Sequence, residues 1–187
     1  MGRILIGLLF VVLNFNVSLN YHTLNLIPNF VGYILIVLGC GELSGESGYF
    51  SRARVPAAVL AVLEGFNFLM NLFGLGIMSI TVNIIRATYN LSGLISIAGT
   101  AGFLLTTYLI VYGISDIEQN RNEYLASDSL KTYWLLSAAA HTVAYAFLFL
   151  MLETPAFIMS IGAMVFVFLF IFSFYKTKRM YEAQTGF

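Results

Sequence analysis

Charged side chains occur in this 187-residue chain almost only in short breaks between long apolar runs. This pattern restricts the fold more than any single motif does. An apolar run of about 20 residues is what an α-helix needs to cross hydrocarbon, where every backbone N–H and C=O must find its partner inside the segment. Six runs approach that length, at about Ile4 to Leu19, Leu26 to Glu42, Ala57 to Leu75, Asn90 to Gly113, Thr132 to Leu152 and Ala156 to Tyr175. The expected fold is all-α, a polytopic transmembrane bundle of six helices built as one domain from three helical hairpins.

Composition agrees. Hydrophobic residues make up 59% of the chain and charged ones 10%, against about 25% charged in an ordinary soluble domain. The formal net charge is zero and the basic residues are scattered, so a phosphate-tracking patch is absent and nucleic acid is rejected as a partner. Cys40 is the only cysteine, which rules out an intrachain disulfide and a cysteine-rich metal site. The apolar start after Met1-Gly2-Arg3 lacks a small-x-small cleavage site and reads as an uncleaved first span.

Orientation follows from the Lys and Arg count in short loops, whose excess marks the cytoplasmic side. With six spans, Arg3, Arg52, Arg54, Arg121, Lys131, Lys176, Lys178 and Arg179 share one side and Arg86 alone takes the other. Both termini are therefore expected in the cytoplasm. Asn25 is a candidate N-cap for the second helix with Pro28 in its first turn, and Pro56 opens the third after a loop from Ser44 to Arg54. Beyond Gly74 and Gly76, Ile77, Ile80 and Ile84 fall on one helical face, which predicts a short interfacial helix or one long tilted helix through Arg86. The polar stretch Glu118 to Glu123 extends the fourth helix into water. Ser127 or Asp128 caps the fifth, and Lys176, Lys178 and Arg179 stop the sixth. Leu35-Ile36-Val37-x-Gly39-x-x-Glu42-Leu43 returns as Leu109-Ile110-Val111-x-Gly113-x-x-Asp116-Ile117. It reads as an echo of helical hairpins or as two independent helix exits.

Glu64 is the one acidic residue well inside a run, roughly 10 Å past the expected start of its span at Ala57. A carboxylate in lipid costs on the order of 3 kcal/mol, so it should face the bundle interior, a wet cavity or a partner. Asn67 and Asn71 continue its stripe. Ser137, His141 and Tyr145 line one face of the fifth span at a comparable depth. Ser92, Ser96 and Thr100 line the fourth, and Asn14 and Ser18 the first. Glu64, Asn67, Asn71 and His141 are the candidate solute- or proton-binding residues, since burial disfavours the charged form of a carboxylate and can couple its protonation to helix packing. The competing view is that such groups are interhelical hydrogen-bond glue worth about 0.6 kcal/mol each, and that Gly32, Gly39 and Gly113, like Gly7, Gly99 and Gly162, serve close packing. No nucleophile motif, HExxH or paired-acid motif is present, so no catalytic residue, metal or cofactor is expected.

The segment LNLIPNFVGYILIVLGCGEL, with Leu26, Pro28, Asn29, Phe30, Gly32, Tyr33, Leu35 and Ile36 as matching positions, resembles a family of small bacterial multi-pass membrane proteins carrying L-x-P-[ND]-F-x-G-Y-x-L-I in the second span. The resemblance covers about the first 55 residues and implies a bacterial cytoplasmic (inner) membrane protein without implying an activity. Asn29 stands where that family commonly has Asp. In size and in its six spans the chain is also similar to the substrate-binding membrane subunits of energy-coupling-factor vitamin transporters, but it lacks their alanine-spaced docking motif in the first span. Two functions remain in view. The first is binding or moving a small solute or proton through a polar intramembrane site. The second is a structural or regulatory role through helix contacts with another membrane protein or a second copy.

Overall fold

The structure, a computed structural model, describes residues 1–13, 16–19, 22–25, 28–72, 81–84 and 87–185, with side chains described for 1–13, 28–70 and 95–185. Among the described residues six helices carry the fold: α1 (Gly2–Val12), α2 (Asn29–Leu43), α3 (Gly48–Leu72), α4 (Leu91–Arg121), α5 (Ser127–Phe149) and α6 (Glu153–Thr185). Three contain segments long and apolar enough to cross a membrane, Gly48–Met70, Ile95–Arg121 and Glu153–Thr185. Two small antiparallel hairpins join the first two helix pairs. β1 (Asn16–Leu19) pairs with β2 (His22–Asn25) in the register Asn16↔Asn25, and β3 (Thr81–Ile84) with β4 (Ala87–Asn90) in the register Thr81↔Asn90. The chain thus runs helix–hairpin–helix twice before α5 and α6 follow.

The buried faces have helical spacing. On α3 they are Phe50, Ala53, Ala57 and Leu60, and on α4 Ile110, Ile114 and Ile117, spaced three or four residues apart so that each forms a stripe. Successive helices pack side by side, and α6 returns against α1, which closes a ring. The apolar core lies toward the end where the termini gather, around Ile4, Leu43, Phe50, Ile114, Leu125, Leu130 and Phe174. Polar ties close that end. Arg121 holds Glu46 through two hydrogen bonds of 3.1 and 2.5 Å, Arg3 meets Glu42 at 2.7 Å, and Thr177 donates to the Leu125 carbonyl at 2.8 Å inside the core.

Several expected boundaries are corrected. The first helix stops at Val12, and the polar letters after it pair as a hairpin in place of continuing to Leu19. Asn25 belongs to β2 rather than capping α2, whose cap is Pro28 in an extended conformation. α3 starts at Gly48, so most of the expected loop is helix and Pro56 lies inside it. Proline there withholds one N–H and crowds the carbonyl four residues back, at exposed Arg52, where polar surroundings can hydrate it. Thr81 to Ile84 form a strand, which overturns both the interfacial helix and the long helix through Arg86; Ile77 and Ile80 lie outside the described residues. Ser127 and Asp128 sit in the first turn of α5 without capping it; Glu118 of α4 instead accepts the Ser127 N–H at 2.9 Å. α6 continues past Lys176, Lys178 and Arg179 to Thr185, aided by the Lys178–Glu182 pair one turn apart at 3.2 Å.

Candidate functional site

Because α3 begins at Gly48, Glu64 lies deeper than the sequence implied, about 24 Å along the helix at 1.5 Å per residue. Its half-buried carboxylate faces the first turn of α2, within interaction range of the Asn29 side chain. Tyr33, buried one turn further along α2, lies within range of the same charge. The contact is flanked by Phe30 and Phe68, whose ring centres are 5.5 Å apart, while Gly65 leaves room beside Phe30.

The amino end of a helix carries N–H groups without intrahelical partners and the positive end of the helix dipole. At α2 the cap is a proline that brings no side-chain hydrogen bond. One free N–H, that of Val31, is taken by the Pro28 carbonyl at 3.0 Å. An anion is therefore favoured at this place, and Glu64 supplies it from the neighbouring helix. Asn29 adds a second feature: its Oδ1 is buried and has no hydrogen-bond partner among the described residues. A buried carbonyl oxygen left so costs roughly 1–3 kcal/mol unless a donor arrives.

The other candidate residues have different surroundings. His141 Nδ1 lies 2.8 Å from the Ser137 carbonyl of its own helix. A carbonyl only accepts, so Nδ1 is the donor in this contact within α5. Thr100 donates to the Ser96 carbonyl at 3.0 Å and receives the Tyr145 hydroxyl at 2.7 Å. Trp134 donates toward the Leu104 carbonyl and Thr107 Oγ1 at 3.1 and 3.2 Å. The polar face of α5 thus zips to that of α4. Among the described residues no hydrogen bond or ion pair joins Glu64 to His141. Asn67 is half-buried one turn beyond Glu64. Asn71 lies on α3 with its side chain outside the described part, as do those of Asn14, Ser18 and Ser92.

The packing glycines separate into two kinds. A Cβ on Gly32 would lie 2.7 Å from the Gly7 carbonyl oxygen, one on Gly39 would lie 2.9 Å from the Ile4 nitrogen, and one on Gly113 would lie 2.8 Å from the Phe50 ring. Gly99 and Gly162 face open space. A groove of about 590 Å³ between α1 and α6, lined by Leu5, Leu9, Phe168, Leu169, Phe172 and Tyr175 among others, presents almost only hydrocarbon. Among the described residues no group of three or more His, Cys, Asp or Glu is placed to hold a metal ion.

Asn29 and Tyr33 were absent from the candidates drawn from the sequence. The available signal was Pro28 directly before Asn29, which marks a helix start and hence an anion-favouring end. No protein-family model, curated protein or solved structure matches the chain.

Proposed function

We propose that the chain is a multi-pass protein of the bacterial cytoplasmic membrane with six spans and both termini inside, and that its Glu64–Asn29 junction takes up a proton or a small polar solute. The observation that carries this reading is the unpartnered Asn29 Oδ1 beside a half-buried carboxylate. An amide serves both protonation states. Its NH₂ donates to ionised Glu64, and after the amide turns, its carbonyl accepts from the protonated acid. Protonation removes the negative charge opposite the amino end of α2, and with it an attraction worth about 0.3–2 kcal/mol at such a site. The packing of α2 on α3 therefore responds to the proton. A solute bearing an N–H or O–H donor competes for the same oxygen. α1 and α2 are only about 16 and 22 Å long by helical rise, shorter than the other four helices.

Native mass spectrometry of the protein in mild detergent tests the solute arm. A discrete small-molecule adduct on wild type that is lost in Glu64→Gln is expected if a solute is held. The same adduct on both proteins contradicts a role for Glu64.

A second reading, assembly with another membrane protein or a second copy, is favoured by the open small-residue positions at Gly99 and Gly162. Gly32 and Gly39 are already used inside the chain, so they do not test it. Loss of a co-purifying subunit in Gly162→Leu, with Glu64→Gln silent, would replace the first reading by this one.

A further inference from the structure

On the outer surface of α3, α4 and α5, near the end that carries most of the Lys and Arg, four aromatic rings form a continuous patch. Tyr112 of α4 has its ring centre 6.0 Å from that of Tyr49 and 4.4 Å from that of Tyr108, and Tyr108 is 5.1 Å from Trp134. Two cations lie on it from different helices. The Arg52 guanidinium is 5.8 Å from the Tyr49 ring centre and the Lys131 ammonium 6.0 Å from that of Tyr112. Arg52 has no carboxylate partner among the described residues, and Lys131 meets only Asp128, at 3.5 Å with that carboxylate almost fully in the open. Trp134 is fixed as a wall because its N–H is spent on α4.

Beneath this rim the same surface turns apolar. Val59 lies two turns deeper than Arg52, Leu105 two turns deeper than Tyr112, and Leu135 one turn deeper than Lys131, and all three are at least half exposed. Two cations held on aromatic rings, Arg52 without a carboxylate partner among the described residues and Lys131 with only the solvent-exposed Asp128, lie above hydrocarbon and so match a phosphate attached to acyl chains.

We propose that this face is a site for an anionic phospholipid of the cytoplasmic leaflet, with the phosphate between Arg52 and Lys131 and the chains along Val59, Leu105 and Leu135. The site rests on the membrane topology proposed above, though not on the role of Glu64. A zwitterionic lipid fits less well, because its own cation meets Arg52 and Lys131.

The test is native mass spectrometry of protein equilibrated with equal phosphatidylglycerol and phosphatidylcholine. Wild type is expected to retain phosphatidylglycerol in preference. Arg52→Gln with Lys131→Gln should lose that preference by about fivefold for each cation removed, the equivalent of roughly 1 kcal/mol. The charge-matched double variant Lys176→Gln with Arg179→Gln, on exposed positions of α6, should keep it. Equal retention of the two lipids by wild type, or equal loss in the two double variants, overturns the site. A protein that fractionates away from membranes and retains neither lipid overturns the topology beneath it.

Discussion

Gly7 and Gly32 let the backbones of α1 and α2 touch, and neither backbone can yield to a methyl group. A Cβ on Gly7 would stand 2.5 Å from the Gly32 carbonyl oxygen. Gly32→Ala and Gly39→Ala are therefore expected to lower stability by about 1–3 kcal/mol each, the usual range for overpacking. Gly99 has open space, and Gly99→Ala should gain roughly 0.5–1 kcal/mol from lower backbone entropy in the unfolded chain. Thermal unfolding followed by circular dichroism in detergent reads both, and a fall of equal size in Gly99→Ala would contradict the assignment. That Gly32 and Gly39 serve packing could be read from the sequence, because they recur seven apart on an apolar helix. The partner of Glu64 could not. Asn29 is 35 residues earlier in the chain, and nothing in local periodicity says which neighbour a helix face will meet.

At the scale of elements, helix ends decide the outcome. Glu118, near the end of α4, accepts the Ser127 N–H and so starts α5 from outside its own sequence. Glu118→Ala should cost about 1 kcal/mol, as loss of an N-terminal cap does. Asp128→Asn should change the unfolding midpoint little, since Asp128 is exposed in the first turn and does not cap the helix. Equal losses in the two variants would return the cap to Asp128.

The long helices α4 and α6 were legible because their apolar content leaves few alternatives. The hairpins were not. Their strands are four residues long, and Thr81-Val82-Asn83-Ile84 alternates polar and apolar over too few positions to outweigh the isoleucines at helical spacing before it. Pro56 misled in the opposite direction, since a proline reads as a helix start wherever one is plausible, yet a carbonyl at a polar boundary tolerates its missing N–H. The amino end of α2 was placed within three residues by Pro28, but its consequence for Glu64 was not visible.

For the whole molecule, the ring of helices is tied at one end by Arg3–Glu42, Glu46–Arg121 and Thr177–Leu125, over the most deeply buried part of the core. Toward the other end, large apolar side chains such as Phe66, Leu69, Leu150 and Met151 are exposed. That face is stable only against lipid or a partner. The proposed orientation is checked with introduced cysteines, since native Cys40 is fully buried and should stay silent to a membrane-impermeant maleimide. His22→Cys should label in intact cells and Ala183→Cys only after the cells are opened. The reverse pattern would invert the topology.

In the proposed function Glu64 exchanges a proton against Asn29 within the bundle. Infrared difference spectroscopy of the protein in lipid, stepped between neutral and acid pH, observes the carboxyl group itself. A protonated-carboxyl band is expected on acidification, absent in Glu64→Gln and displaced in frequency in Asn29→Ala, which removes the amide beside it. An unchanged band in Glu64→Gln would contradict that exchange.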